Sequence, residues 1–399
     1  MTTVARVSNG GVLSGDGWIA ADLEVMGDVI SAVAPRSDDL ETPVPGAGIV
    51  DASGLRVAAG LVDLQINGAS GHDLTGDPSA MWEVGAALPR TGVTSFLPTI
   101  VSAPPDVAQS ALGVLADGPP EGYLGAVALG LHLEGPMLAA GRRGAHEERH
   151  LRAPTPEVIE GWSRETGVRL VTLAPELHGA DLVVAELAER GVTVSAGHSD
   201  ASFEQARDAF AAGVRFGTHL FNAMSGFTHR EPGLAGALLA DPTVPAGLIV
   251  DGNHVHPGAV AAAWSAKGPA GIVLVTDAVA AMGMGTEARD LSLGDADLTI
   301  DGSAVRDGGG RLAGSALSLD LAVRNLVAFA GVSAAEALAS ASASPARAIG
   351  EPFRGQIRVG ATADLVLLDD ALEVVATIVG GRVAFDRRTA SVDDDRPQP

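Results

Sequence analysis

Short apolar runs alternate with Ala-rich, helix-like stretches through most of the chain. Each run is rich in Val, Ile and Leu, and nearly every one ends in a polar residue. Alternation of this kind predicts βα units around a parallel sheet. The predicted strands are 60–67, 95–99, 126–134, 168–173, 192–198, 214–219, 247–251 and 272–277. The predicted helices between them are 81–90, 107–116, 180–190, 202–212 and 258–267.

Eight strands in this rhythm predict an α/β fold of the (β/α)8 TIM-barrel type. In such a barrel the functional side chains lie at the C-terminal ends of the strands, which is where the polar ends of the runs fall. A doubly wound open sheet is the alternative arrangement of βα units. The strand count favours the barrel.

Both ends of the chain show a different pattern, in which short apolar runs are broken by Gly and Asp. This pattern is typical of small antiparallel strands and turns. We therefore predict one small, discontinuous β-sandwich domain built from residues 1–58 and 355–399, with the barrel at residues 59–354. Residues 37–46 have the composition of an exposed loop.

Residues 286–312 interrupt the βα rhythm before the chain becomes helical again. A β-hairpin insertion is predicted there, with strands at 291–293, 297–300 and 303–305 and an Asp-Gly turn at 301–302. Helices are predicted at 315–330 and 334–342.

Composition and charge narrow the class of protein. Hydrophobic residues make up 46% of the 399 residues, yet no run reaches the ~18 apolar residues of a membrane span. Cysteine is absent, which excludes disulfides, thiolate nucleophiles and Cys-based zinc sites. The N-terminal residues lack the pattern of a signal peptide, so we expect a cytoplasmic protein.

A formal net charge of −23 argues against nucleic-acid or anionic-membrane partners, because both require basic surface. A small anionic substrate is still compatible with this charge, since a few local cations can bind a phosphate. Arg142, Arg143 and Arg230 are the candidate cations.

Three residues able to bind metal each close a predicted strand: Glu134, His198 and His219. One carboxylate and two imidazoles form a common ligand set for a catalytic zinc-type ion that leaves a position for water. Asp277 closes the last strand and could take the proton of that water and return it to a leaving group. Any one of these residues alone would more simply cap a loop, but four at equivalent positions favour a metal site. His132 points to the same strand face as Glu134, with a core or supporting role at least as well favoured as ligation.

Longer motifs around these residues resemble the amidohydrolase superfamily, and within it the N-acetylglucosamine-6-phosphate deacetylase family. The superfamily motifs are Leu-His-Leu-Glu-Gly-Pro at 131–136, Ser-Ala-Gly-His-Ser at 195–199, Thr-His-Leu-Phe-Asn-Ala-Met at 218–224 and Leu-Val-Thr-Asp-Ala at 274–278. Further similarity to the deacetylases lies at 144–146, 230–236, 251–255 and 312–316, and the ending at 360–369 is typical of the superfamily. The resemblance extends from about residue 57 to 385. It implies metal-dependent hydrolysis of the N-acetyl group of N-acetylglucosamine 6-phosphate, giving glucosamine 6-phosphate and acetate.

The resemblance also implies a role for each site residue. Glu134, His198 and His219 would hold one divalent ion per subunit, with zinc favoured and Fe2+, Ni2+, Co2+ or Mn2+ also fitting the ligands. Asp277 would act as general base and then acid, and His146 would contact the substrate at its carbonyl. The implied substrate-binding residues are Ala145, Asn222, Ala223, Arg230, His254, Leu312, Ala313 and Gly314. Arg230 would reach the phosphate in the neighbouring active site of a homodimer.

One departure from the wider superfamily concerns a second metal. Many amidohydrolases carry His-x-His after the first strand, where this chain has Gln65-Ile-Asn67, and a lysine after the fourth strand that this chain lacks. Amide side chains are poor ligands beside imidazole, so a single ion is expected, with Gln65 and Asn67 contacting water or a weak second ion. This argues against dihydroorotase-like or hydantoinase-like activity. The remaining alternatives are deacetylation of N-acetylgalactosamine 6-phosphate and a non-catalytic barrel that binds sugar phosphates.

Overall fold

The computed structural model describes residues 3–15, 17–35, 48–285 and 288–389. The predicted loop at 37–46, residues 286–287 of the insertion and the last ten residues of the predicted second domain lie outside this range. No helix within the described range is long and apolar enough to cross a membrane.

The strands form a barrel, a sheet from the chain ends, an inserted sheet and a small two-stranded sheet at residues 68–73. In chain order they are β1 (Arg6–Ser14), β2 (Gly17–Met26), β3 (Val29–Pro35), β4 (Ile49–Asp51), β5 (Arg56–Ala59), β6 (Leu61–Ile66), β7 (Gly68–Ala69), β8 (His72–Asp73), β9 (Val93–Val101), β10 (Val127–Ala128), β11 (Leu131–Glu134), β12 (Val168–Leu173), β13 (Thr193–Ala196), β14 (Val214–Gly217), β15 (Ala246–Leu248), β16 (Ile272–Leu274), β17 (Leu291–Leu293), β18 (Ala296–Asp301), β19 (Ala304–Asp307), β20 (Leu312–Ser315), β21 (Leu365–Leu368), β22 (Val374–Val379) and β23 (Arg382–Asp386).

Most of the α-helices lie between the barrel strands or directly after the insertion. They are α1 (Met81–Ala87), α2 (Pro105–Asp117), α3 (Ala180–Glu189), α4 (Phe203–Ala212), α5 (Gly233–Ala240), α6 (Pro257–Gly271), α7 (Leu319–Ala330), α8 (Ala334–Ser340) and α9 (Ala343–Ala348). The start of α4 shows how the local sequence sets a boundary, because Ser202 and Gln205 form a reciprocal capping box there.

Eight parallel strands form the barrel, in the order β6, β9, β11, β12, β13, β14, β15 and β16, with β10 continuing the pairing of β9. A parallel bridge between Ile66 of β6 and Ala278, which follows β16, closes the barrel. Residues of β6 and β9 are buried on both faces, as expected for strands enclosed by helices. The predicted (β/α)8 barrel is confirmed.

Among the barrel strands that end earlier than predicted are β15, which stops at Leu248, and the three strands that precede His198, His219 and Asp277. The strands β13, β14 and β16 stop at Ala196, Gly217 and Leu274, two or three residues before the polar residue that closes each motif. The reason is local, since His198, His219 and Asp277 take positive φ angles of 48°, 29° and 51°, outside the extended region of a regular strand.

The two ends of the chain join in one sheet, ordered β23-β22-β21-β5-β1-β2-β3, with β4 beside β1. Most of its pairs are antiparallel, and its core includes Leu23, Ile30, Leu365 and Ile378. A sheet-rich second domain built from both chain ends, predicted as a small β-sandwich, is confirmed.

The insertion is a four-stranded antiparallel sheet, β17-β18-β19-β20, and its last strand was not predicted. The predicted helix at 315–330 begins only at Leu319. Ser315 stays extended because its amide donates to the carbonyl of Asp277 and its hydroxyl to the carbonyl of Thr276. The insertion therefore ends against the barrel, beside the fourth residue of the predicted site.

Candidate active site

The three predicted metal ligands converge at the C-terminal end of the barrel. Glu134 Oε1 lies 3.1 Å from His198 Nε2 and 3.1 Å from His219 Nε2, and the two ring nitrogens are 3.0 Å apart. All three side chains are buried. β11 delivers the carboxylate, while the residues after β13 and β14 deliver the imidazoles.

This triangle of atoms fits a metal ion better than it fits direct hydrogen bonds. Two ring nitrogens and one carboxylate oxygen cannot all bond to one another with the protons that they carry. Ligands about 2.0–2.2 Å from one tetrahedral ion lie roughly 3.4 Å apart, close to the spacing found here. His198 Nδ1 lies 2.8 Å from the carbonyl oxygen of Arg142, so Nδ1 carries the proton and Nε2 presents its lone pair to the triangle.

The two carboxylates of the site, Glu134 and Asp277, have pKa values shifted in opposite directions. Burial alone would raise the pKa of Glu134, but the adjacent imidazoles of His198 and His219 outweigh burial and hold this pKa well below its usual range. Burial, followed by the negative charge of Glu134, raises the pKa of Asp277 to about 6. One carboxylate is thus held as an anion while the other is set to exchange a proton near neutral pH.

The amides of Gln65 and Asn67 connect these carboxylates. Gln65 Nε2 donates to Glu134 Oε1 and to Asp277 Oδ1, each at 3.0 Å, and Asn67 Nδ2 donates to Asp277 Oδ1 at 2.7 Å. Asn67 Oδ1 is buried and has no hydrogen-bond partner among the described residues, so it can accept one from water. The contact of Gln65 and Asn67 with water or a weak second ion stays a prediction.

His146 approaches Glu134 Oε2, the carboxylate oxygen that Gln65 does not contact. Its Nε2 is 3.8 Å from Glu134 Oε2, and its ring packs edge-on against His198, with centroids 4.6 Å apart. The backbone amide of Ser102 donates to His146 Nδ1 at 3.2 Å, and the Ser102 hydroxyl lies 2.9 Å from the same nitrogen. Burial, with the neighbouring His198, lowers the pKa of His146 to about 3, so the ring is neutral.

His132 lies below the ligands, inside the barrel. It is fully buried, and its ring nitrogens face the hydroxyls of Thr99 at 3.3 Å and Thr172 at 2.8 Å. Burial lowers its pKa to about 4. His132 is not one of the three converging ligands, and it joins strands through hydrogen bonds instead.

A cavity of about 310 Å3 opens above the ligands. Its lining includes these predicted residues: Asn67, Glu134, Ala145, His146, His198, His219, Asn222, Ala223, His254, Asp277, Leu312, Ala313 and Gly314. His254 Nδ1 is fixed by Asp251 Oδ2 at 2.7 Å. Gln65 lies just beneath, bonded to both carboxylates.

Arg230 is the predicted substrate residue that this chain does not bring into its own cavity. It is exposed on the loop between Asn222 and α5. The guanidiniums that do line the cavity are those of Arg142, Arg143 and Arg311. Arg142 pairs with Asp200 at 2.5 Å, and Arg311 pairs with Asp307 at 2.7 Å.

Two residues of the site escaped the sequence reasoning. Ser102 directly follows β9, whose predicted end at residue 99 was two residues short. The apolar run continues through Val101 into this serine, so the same rule of polar strand ends would have identified it. Arg311 follows a Gly-rich turn that gives no comparable signal.

A larger cleft of about 650 Å3 has Ser102 in its lining, together with apolar residues such as Ile100 and Trp162. It contains neither the three converging ligands nor Asp277. The smaller cavity is therefore the one that holds the chemistry.

Comparison with known proteins agrees with this geometry. Residues 56–384 match the model of the amidohydrolase family. An N-acetylglucosamine-6-phosphate deacetylase of Homo sapiens is 40% identical over 362 residues, which cover 85% of this chain and 86% of the relative. An N-acetylgalactosamine-6-phosphate deacetylase of Escherichia coli O157:H7 is 36% identical, over 96% of this chain and 100% of the relative.

A solved structure is similar over nearly its whole length. It is the N-acetyl-D-glucosamine-6-phosphate deacetylase of Mycobacterium smegmatis, an aspartate-to-alanine mutant in complex with N-acetyl-D-glucosamine-6-phosphate. Its TM-score is 0.86 at 33% identity, with 96% of this chain and 100% of that chain covered. The chain therefore belongs to the amidohydrolase family, within its group of N-acetylglucosamine-6-phosphate deacetylases.

Proposed function

We propose that this protein hydrolyses the N-acetyl group of N-acetylglucosamine 6-phosphate, releasing acetate and glucosamine 6-phosphate. The observation that carries the proposal is the convergence of Glu134, His198 and His219 beside the raised-pKa carboxyl of Asp277. The human and mycobacterial relatives named for this activity support the choice of substrate.

The metal ligands are Glu134, His198 and His219, and the donor set favours zinc while also suiting Fe2+, Ni2+, Co2+ and Mn2+. A divalent ion held there supplies Lewis acidity toward an acetyl carbonyl and an attacking water. Gln65 stands where many amidohydrolases have an imidazole ligand. Its N–H groups donate to Glu134 and Asp277 and so stabilise these carboxylates without a second cation. We therefore propose one ion per subunit.

Asp277 is the proton carrier. Gln65 and Asn67 both donate to its Oδ1, which leaves Oδ2 to take a proton from the attacking water and deliver it to the departing amine. A pKa of about 6 suits both steps, since the ionised and protonated forms are each accessible near neutral pH. His146 donates from Nε2 to the acetyl carbonyl oxygen, where negative charge develops.

The sugar phosphate would lie at the mouth of the cavity, against Asn222, Ala223 and His254. Leu312, Ala313 and Gly314 would line the sugar side, and Ala145 would lie beside His146. We propose that Arg230 of a neighbouring subunit supplies the cation for the phosphate in a homodimer. Its exposure, with no ion pair among the described residues, is consistent with a partner outside its own chain.

We propose the same domain boundaries as predicted, with the barrel at residues 59–354 and the small domain at 1–58 and 355–399. A cytoplasmic location is proposed as well, because the substrate is a sugar phosphate.

Acetate release from N-acetylglucosamine 6-phosphate by the purified protein, with metal content measured on the same sample, tests the function. We expect acetate and glucosamine 6-phosphate in equal amounts, and about one divalent ion per subunit. N-acetylgalactosamine 6-phosphate is assayed in parallel, since relatives named for that substrate are 36% and 35% identical. Metal-loaded protein that binds either sugar phosphate without releasing acetate would instead be a non-catalytic binding barrel.

A further inference from the structure

Ser102 holds His146 through two contacts that constrain where the imidazole carries its proton. The backbone N–H of Ser102 points at His146 Nδ1 from 3.2 Å. An amide N–H can only donate, so Nδ1 must present its lone pair. The Ser102 hydroxyl, 2.9 Å from the same nitrogen, then donates as well.

The consequence for the ring is a single tautomer. With Nδ1 occupied as an acceptor, the proton of the neutral ring must lie on Nε2. Nε2 faces the converging ligands, 3.8 Å from Glu134 Oε2. The ring therefore presents an N–H donor to the catalytic cavity. The opposite tautomer would set an N–H on Nδ1 against the amide N–H of Ser102.

The surrounding chain leaves room for this arrangement. A Cβ at residue 135 would lie 2.3 Å from Ser102 Oγ, so Gly135 is needed for the hydroxyl to sit where it does. Ser102 itself is buried and follows the last residue of β9, which anchors its backbone to the barrel. The serine is thus fixed by the strand and not by the loop that carries His146.

We propose that Ser102 is a positioning residue that holds His146 as the Nε2–H tautomer, so that this N–H meets the acetyl carbonyl oxygen. The inference rests on the proposed deacetylase function for its catalytic consequence. The tautomer itself does not depend on that function. It is a property of the free enzyme.

Zinc-loaded wild-type enzyme and the Ser102→Ala, Ser102→Thr and Ser110→Ala variants form the test. Ser110 is an exposed serine of α2 and serves as the matched control. Each protein is labelled with ¹⁵N-histidine, and a His146→Asn variant identifies the His146 signals. Acetate release gives kcat and KM on the same samples.

In wild type we expect the His146 signals of an unprotonated Nδ1 and a protonated Nε2. Ser102→Ala keeps the backbone N–H, so the Nε2–H tautomer should persist. The loss of the hydroxyl donor should shift the Nδ1 signal of His146 and lower kcat about 5- to 10-fold, the loss expected for one neutral hydrogen bond, with little change in KM or zinc content. Ser102→Thr should restore both readouts in part, and Ser110→Ala should change neither.

A proton on Nδ1 of His146 in wild type would overturn the proposal. A fall in kcat for Ser102→Ala without any change in the His146 signals would also overturn it, because Ser102 would then act only on local packing. If wild type releases no acetate, the proposed function fails, while the His146 signals still decide the role of Ser102.

Discussion

Asp63 provides a sharp test of the electrostatics inside the barrel. Its carboxyl is fully buried at the start of the closed sheet, and burial raises its pKa to about 7 from the ordinary 3.8. The Thr276 hydroxyl at 2.7 Å and the amides of Gln65 and Thr276 donate to it, but they offset only part of the burial. Asp63 is therefore a group whose ionisation works against the fold.

The sign and size of the effect follow from linkage. The folded-state pKa lies above the unfolded-state value, so the folded chain binds more protons between about pH 4 and 7, and stability falls as the pH rises through that window. At 1.36 kcal/mol for each pH unit, the whole difference corresponds to about 4 kcal/mol, of which about 2 to 3 kcal/mol falls between pH 5 and 8. An asparagine cannot ionise, and its amide can still meet the same donors and the Thr276 oxygen.

Urea unfolding of wild type, Asp63→Asn and the exposed control Asp297→Asn, followed by tryptophan fluorescence at pH 5 and pH 8, measures this effect. The stability of Asp63→Asn relative to wild type should rise by about 2 to 3 kcal/mol between the two pH values, and that of the control should stay constant. A relative stability of Asp63→Asn that is the same at both pH values would refute the reasoning.

Three further predictions address the proposed chemistry. Asp277→Asn should lower kcat about 10²- to 10⁴-fold in the acetate-release assay while metal content and substrate binding persist, and near-native turnover would contradict its role as proton carrier. His219→Ala should lose its ion on dialysis, as measured by elemental analysis, because only two of the three ligands remain; full retention would show that the metal lies elsewhere. Arg230→Ala should raise KM for the phosphorylated sugar about 10- to 100-fold and leave the free sugar unaffected, whereas equal effects on both would remove Arg230 from phosphate binding.

The sequence was most informative where side-chain chemistry coincided with strand periodicity. Glu134, His198, His219 and Asp277 follow buried runs, and any parallel barrel brings such positions to one end. The ends of these strands were less predictable, because the positive φ angles of three of these residues are local events with no hydrophobic signature.

Other elements were missed for equally physical reasons. The helix α5 is buried along most of its length, so it has no polar face and no helical period to detect. The strand β20 depends on Ser315 bonding to the carbonyls of Thr276 and Asp277, a contact made only once the barrel has closed. Contacts between distant segments decide such elements, and local patterns do not contain them.

The left-handed backbone at His198, His219 and Asp277 places the catalytic side chains at the expense of stability of the folded state. A residue other than glycine in this region costs on the order of 1 kcal/mol or more, so the three positions together hold back several kcal/mol of potential stability. Glycine at any of them would relax the chain and destroy the site. In a barrel of this family that no longer catalyses, substitution by glycine at these positions would therefore increase stability. Glycine at the former active centre would then be a sign of lost function.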